Sequence, residues 1–143
     1  MHVDPPQSCC GFALAHGNIP PPPDIYHRMW GAAKHDRATG IHQPLRASVV
    51  LLTPLEGGER QFIIALDHCT MGRQEINNLL DTVSESENIT REELIIVFSH
   101  THAAGLMGLE RVHLPGGELI EPYLKSVADK IIELVREVQV NLQ

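Results

Sequence analysis

The sequence predicts an α/β domain in which a mixed β-sheet is layered with helices. Three observations carry that prediction. Two apolar, β-branched runs flank a Gly-Gly turn. A third apolar run follows a helical segment. A long amphipathic stripe then closes the chain.

Taken in order, residues 1–10 read as an unstructured lead-in and residues 11–143 as one partial α/β domain. Gly11–Ala15 is expected to be a short strand. Pro20-Pro21-Pro22-Pro23 imposes an extended, polyproline-like path that excludes helix. Ile25–Gly40 reads as loop. Arg46–Thr53 (RASVVLLT) and Gln61–Leu66 (QFIIAL) read as strands of a hairpin around Gly57-Gly58. Gly72–Val83 places Ile76, Leu79, Leu80 and Val83 at helical spacing. Glu93–Phe98 (ELIIVF) is short and continuously apolar, which predicts a strand covered on both faces. Leu119–Val138 puts Ile120, Leu124, Val127, Ile131, Leu134, Val135 and Val138 on one stripe. Lys125, Asp129, Lys130, Glu133 and Glu137 fall on the wet side, and Pro122 is tolerated in the first turn.

Composition narrows the function. The 143 residues carry a net charge of −7, with no basic run, so a phosphate backbone is an unsuitable partner. No stretch reaches the ~20 apolar residues of a membrane helix. The first residues (His2, Asp4, Pro5, Pro6) lack the basic and apolar regions of a secretory signal, so either the true start is missing or the cytoplasm is the default compartment. Cys9, Cys10 and Cys69 do not make a disulfide framework. Nine histidines favour metal binding without locating it.

The chemistry concentrates at Ser99-His100-Thr101-His102, directly after the apolar strand. Ligands bind beyond the carboxyl ends of strands in α/β sheets. In extended backbone, residues two apart share a side, so His100 and His102 would aim two imidazoles at one pocket. Imidazole is a good zinc ligand. Asp67 closes the second strand; if the two strands are neighbours it lies at the same edge and would orient a ligand histidine by accepting its other N–H, or else it forms a turn or helix cap. Cys69 reads as a small buried hydrophobe. His27, His35, His42 and His113 are scattered over loops. Tyr26, Met29 and Trp30 would line a hydrophobic mouth or pack locally. Arg46 reads as a strand-edge charge.

These residues resemble a known family. Gly40-Ile41-His42-Gln43-Pro44-Leu45-Arg46-Ala47 before an apolar strand is similar to an early segment of neutral/alkaline ceramidases. So is the strand ending in Asp67. Ser99-His100-Thr101-His102 resembles that family's His-Thr-His-Ser-Gly-Pro-Gly motif, and Asn18-Ile19-Pro20-Pro21 its Asp-Ile-Thr-Pro-Pro element. The resemblance spans residues 11–138. It implies a zinc-dependent amidase that splits the N-acyl bond of ceramide-like lipids. His100 would bind zinc, and His102 would be the catalytic histidine beside it, contacting substrate. Zinc would polarise the amide carbonyl and activate water. The family's other ligands (a histidine, a glutamate and a tyrosine) come from much later in its chain, so the resemblance implies a fragment that lacks them. Ala103-Ala104-Gly105-Leu106 replaces Ser-Gly-Pro-Gly, a departure at the substrate pocket.

Two other readings predict different behaviour. A metallo-β-lactamase-like hydrolase also has Ser/Thr-His-x-His after a strand, but continues with x-Asp-His where Ala104 and Gly105 stand here. A non-catalytic α/β module would bind a small molecule or a partner chain at an unpaired sheet edge, which also invites self-association.

Overall fold

Alternation of inward and outward side chains builds a four-stranded sheet with one face against helices. The computed structural model describes residues 9–30 and 34–142. The strands are β1 (Cys10–Asn18), β2 (Arg46–Pro54), β3 (Gln61–Leu66) and β4 (Leu94–Phe98). The helices are α1 (Arg73–Glu87) and α2 (Ile120–Val140). Strand order is β1-β2-β3-β4, so β1 and β4 are the two free edges. β1/β2 and β2/β3 pair antiparallel, and β3/β4 pair parallel. A parallel neighbour needs a crossover, and α1 provides it. The expected mixed sheet layered with helices is thus observed.

Inward positions repeat every second residue: Ala13 and Ala15; Ala47, Val49 and Leu51; Phe62, Ile64 and Leu66. Small residues on β1 let α2 approach, and α2 packs against both β1 and β2. α2 buries Ile120, Tyr123, Val127, Ala128, Ile131, Leu134, Val135 and Val138. Leu124, expected on that stripe, is half-buried and Tyr123 takes the interior place. α1 buries Leu79, Leu80 and Val83 and runs one turn beyond the predicted end. It stops at Asn88, which adopts the left-handed conformation (φ 50°) and returns its N–H to the Ser84 carbonyl.

Four expectations are corrected. β1 extends to Asn18, three residues past the predicted strand, because its pairing with β2 continues to Asn18 opposite Arg46. The lead-in of residues 1–10 lies outside the described residues up to Ser8, and Cys10 already belongs to β1. Most consequentially, β4 is not covered on both faces. Ile95 and Val97 are each 43% exposed. They share the open side of the sheet with Phe12 (50%) and Leu14 (52%), opposite the helices. The continuous apolar run therefore reflects two apolar faces, of which the chain itself covers one. The proline run is also not extended throughout: the Ile25 N–H reaches the Pro22 carbonyl at 3.0 Å and turns the chain. No described helix is long and apolar enough to cross a membrane.

Candidate metal centre at the sheet edge

Parallel register fixes where the chemistry gathers. Leu66 on β3 faces Phe98 on β4, so both strands release their chains at the same edge of the sheet. The Ser99 N–H still bonds the Leu66 carbonyl at 3.0 Å, which holds the two exits together one residue further. Asp67-His68-Cys69 leaves from β3, and His100-Thr101-His102 from β4.

His100 adopts φ 56°, the left-handed region. Histidine is enriched there relative to most residues, and such conformations cluster at functional sites. The two imidazoles do gather at one place as expected, although through this turn and not through extended backbone, with centroids 5.5 Å apart and planes inclined by 55°. Trp30 packs edge-on against His102 at 4.9 Å, so the loop residue expected to line a mouth sits beside the second histidine.

Cys69 is buried, as the sequence suggested, but its place beside His100 was not foreseen. Its Sγ lies 3.7 Å from His100 Nε2 and 3.9 Å from Nδ1. Donor atoms of Cys69, His100 and His102 all fall within 4.8 Å of one another. The thiol is buried, whereas both imidazoles are exposed. The available signal was the offset from the strand end: Cys69 stands three residues past Leu66 and His100 two past Phe98. It became usable only with the parallel pairing. This donor set fits a zinc ion, since thiolate and neutral imidazole are its preferred protein ligands.

Asp67 is placed differently from an orienting carboxylate. Its Oδ2 accepts the Arg46 N–H at 3.0 Å, while the Asp67 N–H donates to the Arg46 carbonyl at 2.9 Å. This reciprocal pair clamps the end of β3 to the start of β2. Among the described residues Asp67 makes no hydrogen bond to His100 or His102. Arg46 takes part through its backbone. His27 and His35 pair with each other, ring centroids 5.8 Å apart, and His27 lines the groove with Ala103 and Gly105.

A buried histidine, His68, stands next to Cys69 in the chain and ties this edge to α2. His68 is fully buried, and its Nε2 lies 2.8 Å from the Tyr123 hydroxyl, which donates to the Ile19 carbonyl at 2.8 Å. Since Tyr123 spends its proton on Ile19, Nε2 of His68 carries the donor hydrogen. Burial lowers the His68 pKa from 6.5 to about 4, against the opposing pull of the Asp67 charge and the nearby Gly105 backbone. Burial likewise raises the pKa of Tyr123. The folded protein thus resists protonation that the unfolded chain accepts. Stability of the metal-free protein is expected to be unaffected by His68 above pH 6.5 and to fall by about 3 kcal/mol as pH drops toward 4, where the unfolded chain takes up the proton first. Urea unfolding across that window, compared with His68→Phe, measures it; equal pH slopes for the two proteins would refute the assignment.

The segment linking β1 to β2 straps across this edge. Gly105 permits it, because a Cβ there would stand 2.5 Å from the Cα of His27. Gly116, at φ 88°, accepts the Tyr26 N–H on its carbonyl at 3.0 Å. Arg111 lies over the Tyr26 ring and donates to the Arg28 carbonyl. Buried Glu75 accepts the Leu109 N–H at 2.8 Å and anchors the far side of the loop. Between strap and loop runs a groove of about 340 Å³, lined by Pro20–Pro23, Ile25, Ile41, Leu45, Ala103 and Gly105 among others. Ala103 directly follows His102, so the apolar groove opens beside the cluster.

The metallo-β-lactamase pattern finds no support here, since buried Ala104 and tightly packed Gly105 occupy its next two ligand positions.

Comparison with known proteins gives a structural likeness only. No protein-family model matches the sequence, and no curated protein matches it significantly. A solved ceramidase complexed with C2 superposes with a TM-score of 0.75 at 15% identity, covering 96% of this chain and 22% of that one. Neutral ceramidase from Pseudomonas aeruginosa gives a TM-score of 0.70 with the same identity and coverage. The chain spans about a fifth of the length of these neighbours. Its fold is that of a segment of the ceramidase chain.

Proposed function

We propose that this chain carries the metal-binding sheet edge of a ceramidase-type hydrolase, zinc-dependent and directed at the N-acyl bond of ceramide-like lipids. The observation that carries the reading is the convergence of His100 and His102, 5.5 Å apart, at the carboxyl edge of a sheet whose fold ceramidases share. Zinc, when bound, supplies Lewis acidity toward a carbonyl and acidifies water.

His100 is the metal ligand in this reading. His102, beside it and steadied by Trp30, is placed to hydrogen-bond the amide of the substrate. The proline-lined groove leads away from His102 and suits an acyl chain, because an apolar wall gains free energy as the chain leaves water. The Asp67 charge at the same edge favours a bound cation.

Zinc-loaded protein should release fatty acid from a short-chain N-acyl sphingoid base in detergent micelles, and a chelator should stop it. Absence of release by protein shown to hold one equivalent of zinc would overturn the hydrolase reading for this chain.

A further inference from the structure

We infer that Cys69 is a metal ligand, so that this chain supplies a Cys-His-His donor set of its own. The inference deepens the reading above and rests on it for the involvement of His100. It adds a thiolate that neither the His-Thr-His motif nor its spacing contains.

The geometry comes first. A tetrahedral zinc ion with Zn–S of ~2.3 Å and Zn–N of ~2.05 Å places sulfur and nitrogen about 3.6 Å apart. The separation between Cys69 Sγ and His100 Nε2 is 3.7 Å. All three donors lie within 4.8 Å, so modest closure around an ion brings them to coordination distance. The exposed imidazoles can make that closure by turning about χ2, a torsion with broad minima.

The environment separates a ligand from a packing residue. Cys69 is 1% exposed, which a small hydrophobe would also show. Its Sγ nevertheless lies within 4 Å of both ring nitrogens of His100, so a turn of that exposed ring brings either nitrogen to a shared ion. The backbone that presents it is rigid: Asp67 is clamped to Arg46, His68 is locked by Tyr123, and Cys69 follows directly. His100 holds the left-handed φ that turns its ring toward the same point. A site on such rigid elements holds its donors in place before the ion arrives.

Chemistry then selects the ion. Three protein donors with one open position is the arrangement of catalytic zinc sites. Thiolate and imidazole favour zinc over magnesium, calcium or manganese. Binding breaks the Sγ–H bond and forms a sulfur–metal bond; the proton passes to solvent, and nothing is oxidised or reduced. An imidazole that binds through one nitrogen keeps the other for a hydrogen bond, so His102 can serve both metal and substrate.

Cobalt(II) titration of the full chain tests this. The Cys9→Ser/Cys10→Ser variant is the parent, which removes the other two thiols. The parent should bind one cobalt and show the near-ultraviolet thiolate-to-cobalt charge-transfer band. Cys69→Ser and Cys69→Ala should lose the band, and their zinc affinity should fall beyond the ~10–100-fold typical of losing an outer-shell partner. Far-ultraviolet circular dichroism of both variants should match the parent. If the variants misfold, X-ray absorption at the zinc edge of the zinc-loaded parent decides: one sulfur neighbour at ~2.3 Å is expected. One cobalt bound without the band, or a zinc ion with no sulfur neighbour, overturns the thiolate ligand and leaves His100 as a ligand. No metal bound by the parent overturns both readings.

Discussion

Asparagine or alanine in place of His100 is expected to release the metal and to lower amide hydrolysis by about 10³-fold or more. That factor follows from the several kcal/mol a metal contributes to charge stabilisation, at 1.36 kcal/mol per tenfold. The pair of variants is chosen because His100 sits at φ 56°. Alanine removes the ligand and also pays the left-handed backbone penalty of ~1–2 kcal/mol. Asparagine tolerates that conformation and removes only the ring. If ligand loss is the cause, both variants lose metal and turnover together, and only alanine loses fold stability as well. Metal content, initial rates and urea midpoints separate the two effects. Retention of one zinc and full turnover by His100→Asn would remove His100 from the reaction.

Much of this fold was legible because local patterns and tertiary packing agree. The β2 and β3 runs alternate inward and outward residues, so their strands appear at the predicted residues. The α2 stripe is long enough to fix its inner face within one residue. β4 misled because hydropathy reports apolar character and not what covers it: Ile95 and Val97 are apolar and exposed. The same blindness hid the open side of β1, where Phe12 and Leu14 face outward. At the site, the His100/His102 pair was visible as a motif, although the mechanism of its convergence was not. A left-handed residue cannot be read from His-Thr-His alone. Cys69 could not be reached from sequence, since its partnership depends on which strand lies beside β4 and in which direction. Asp67 illustrates the converse: a carboxylate at the correct edge is engaged by the Arg46 backbone amide before any imidazole.

Removing a single oxygen by Tyr123→Phe should cost about 2–6 kcal/mol, although little packing volume is lost. The hydroxyl serves two buried groups, accepting from His68 Nε2 and donating to the Ile19 carbonyl. Phenylalanine fills the same space and leaves both without a partner, and each orphan costs roughly 1–3 kcal/mol. The three residues belong to separate elements: Ile19 follows β1, His68 follows β3, and Tyr123 lies in the first turns of α2. Their shared hydrogen bonds hold the strap, the sheet edge and the helix in one register. A loss of this size is a large part of the ~5–15 kcal/mol that stabilises a domain. His68→Phe in the Tyr123→Phe background removes one orphan, so the double variant should recover part of the deficit, a non-additive cycle expected of residues in contact. Urea unfolding of the metal-free proteins gives all four corners of that cycle. A Tyr123→Phe change below about 0.5 kcal/mol, the usual range of an inconsequential substitution, would mean that the hydroxyl is not bridging these groups. Because His68 directly precedes Cys69, a loosened His68 should also release the thiol from its place beside His100, and the cobalt charge-transfer band should weaken in parallel with stability.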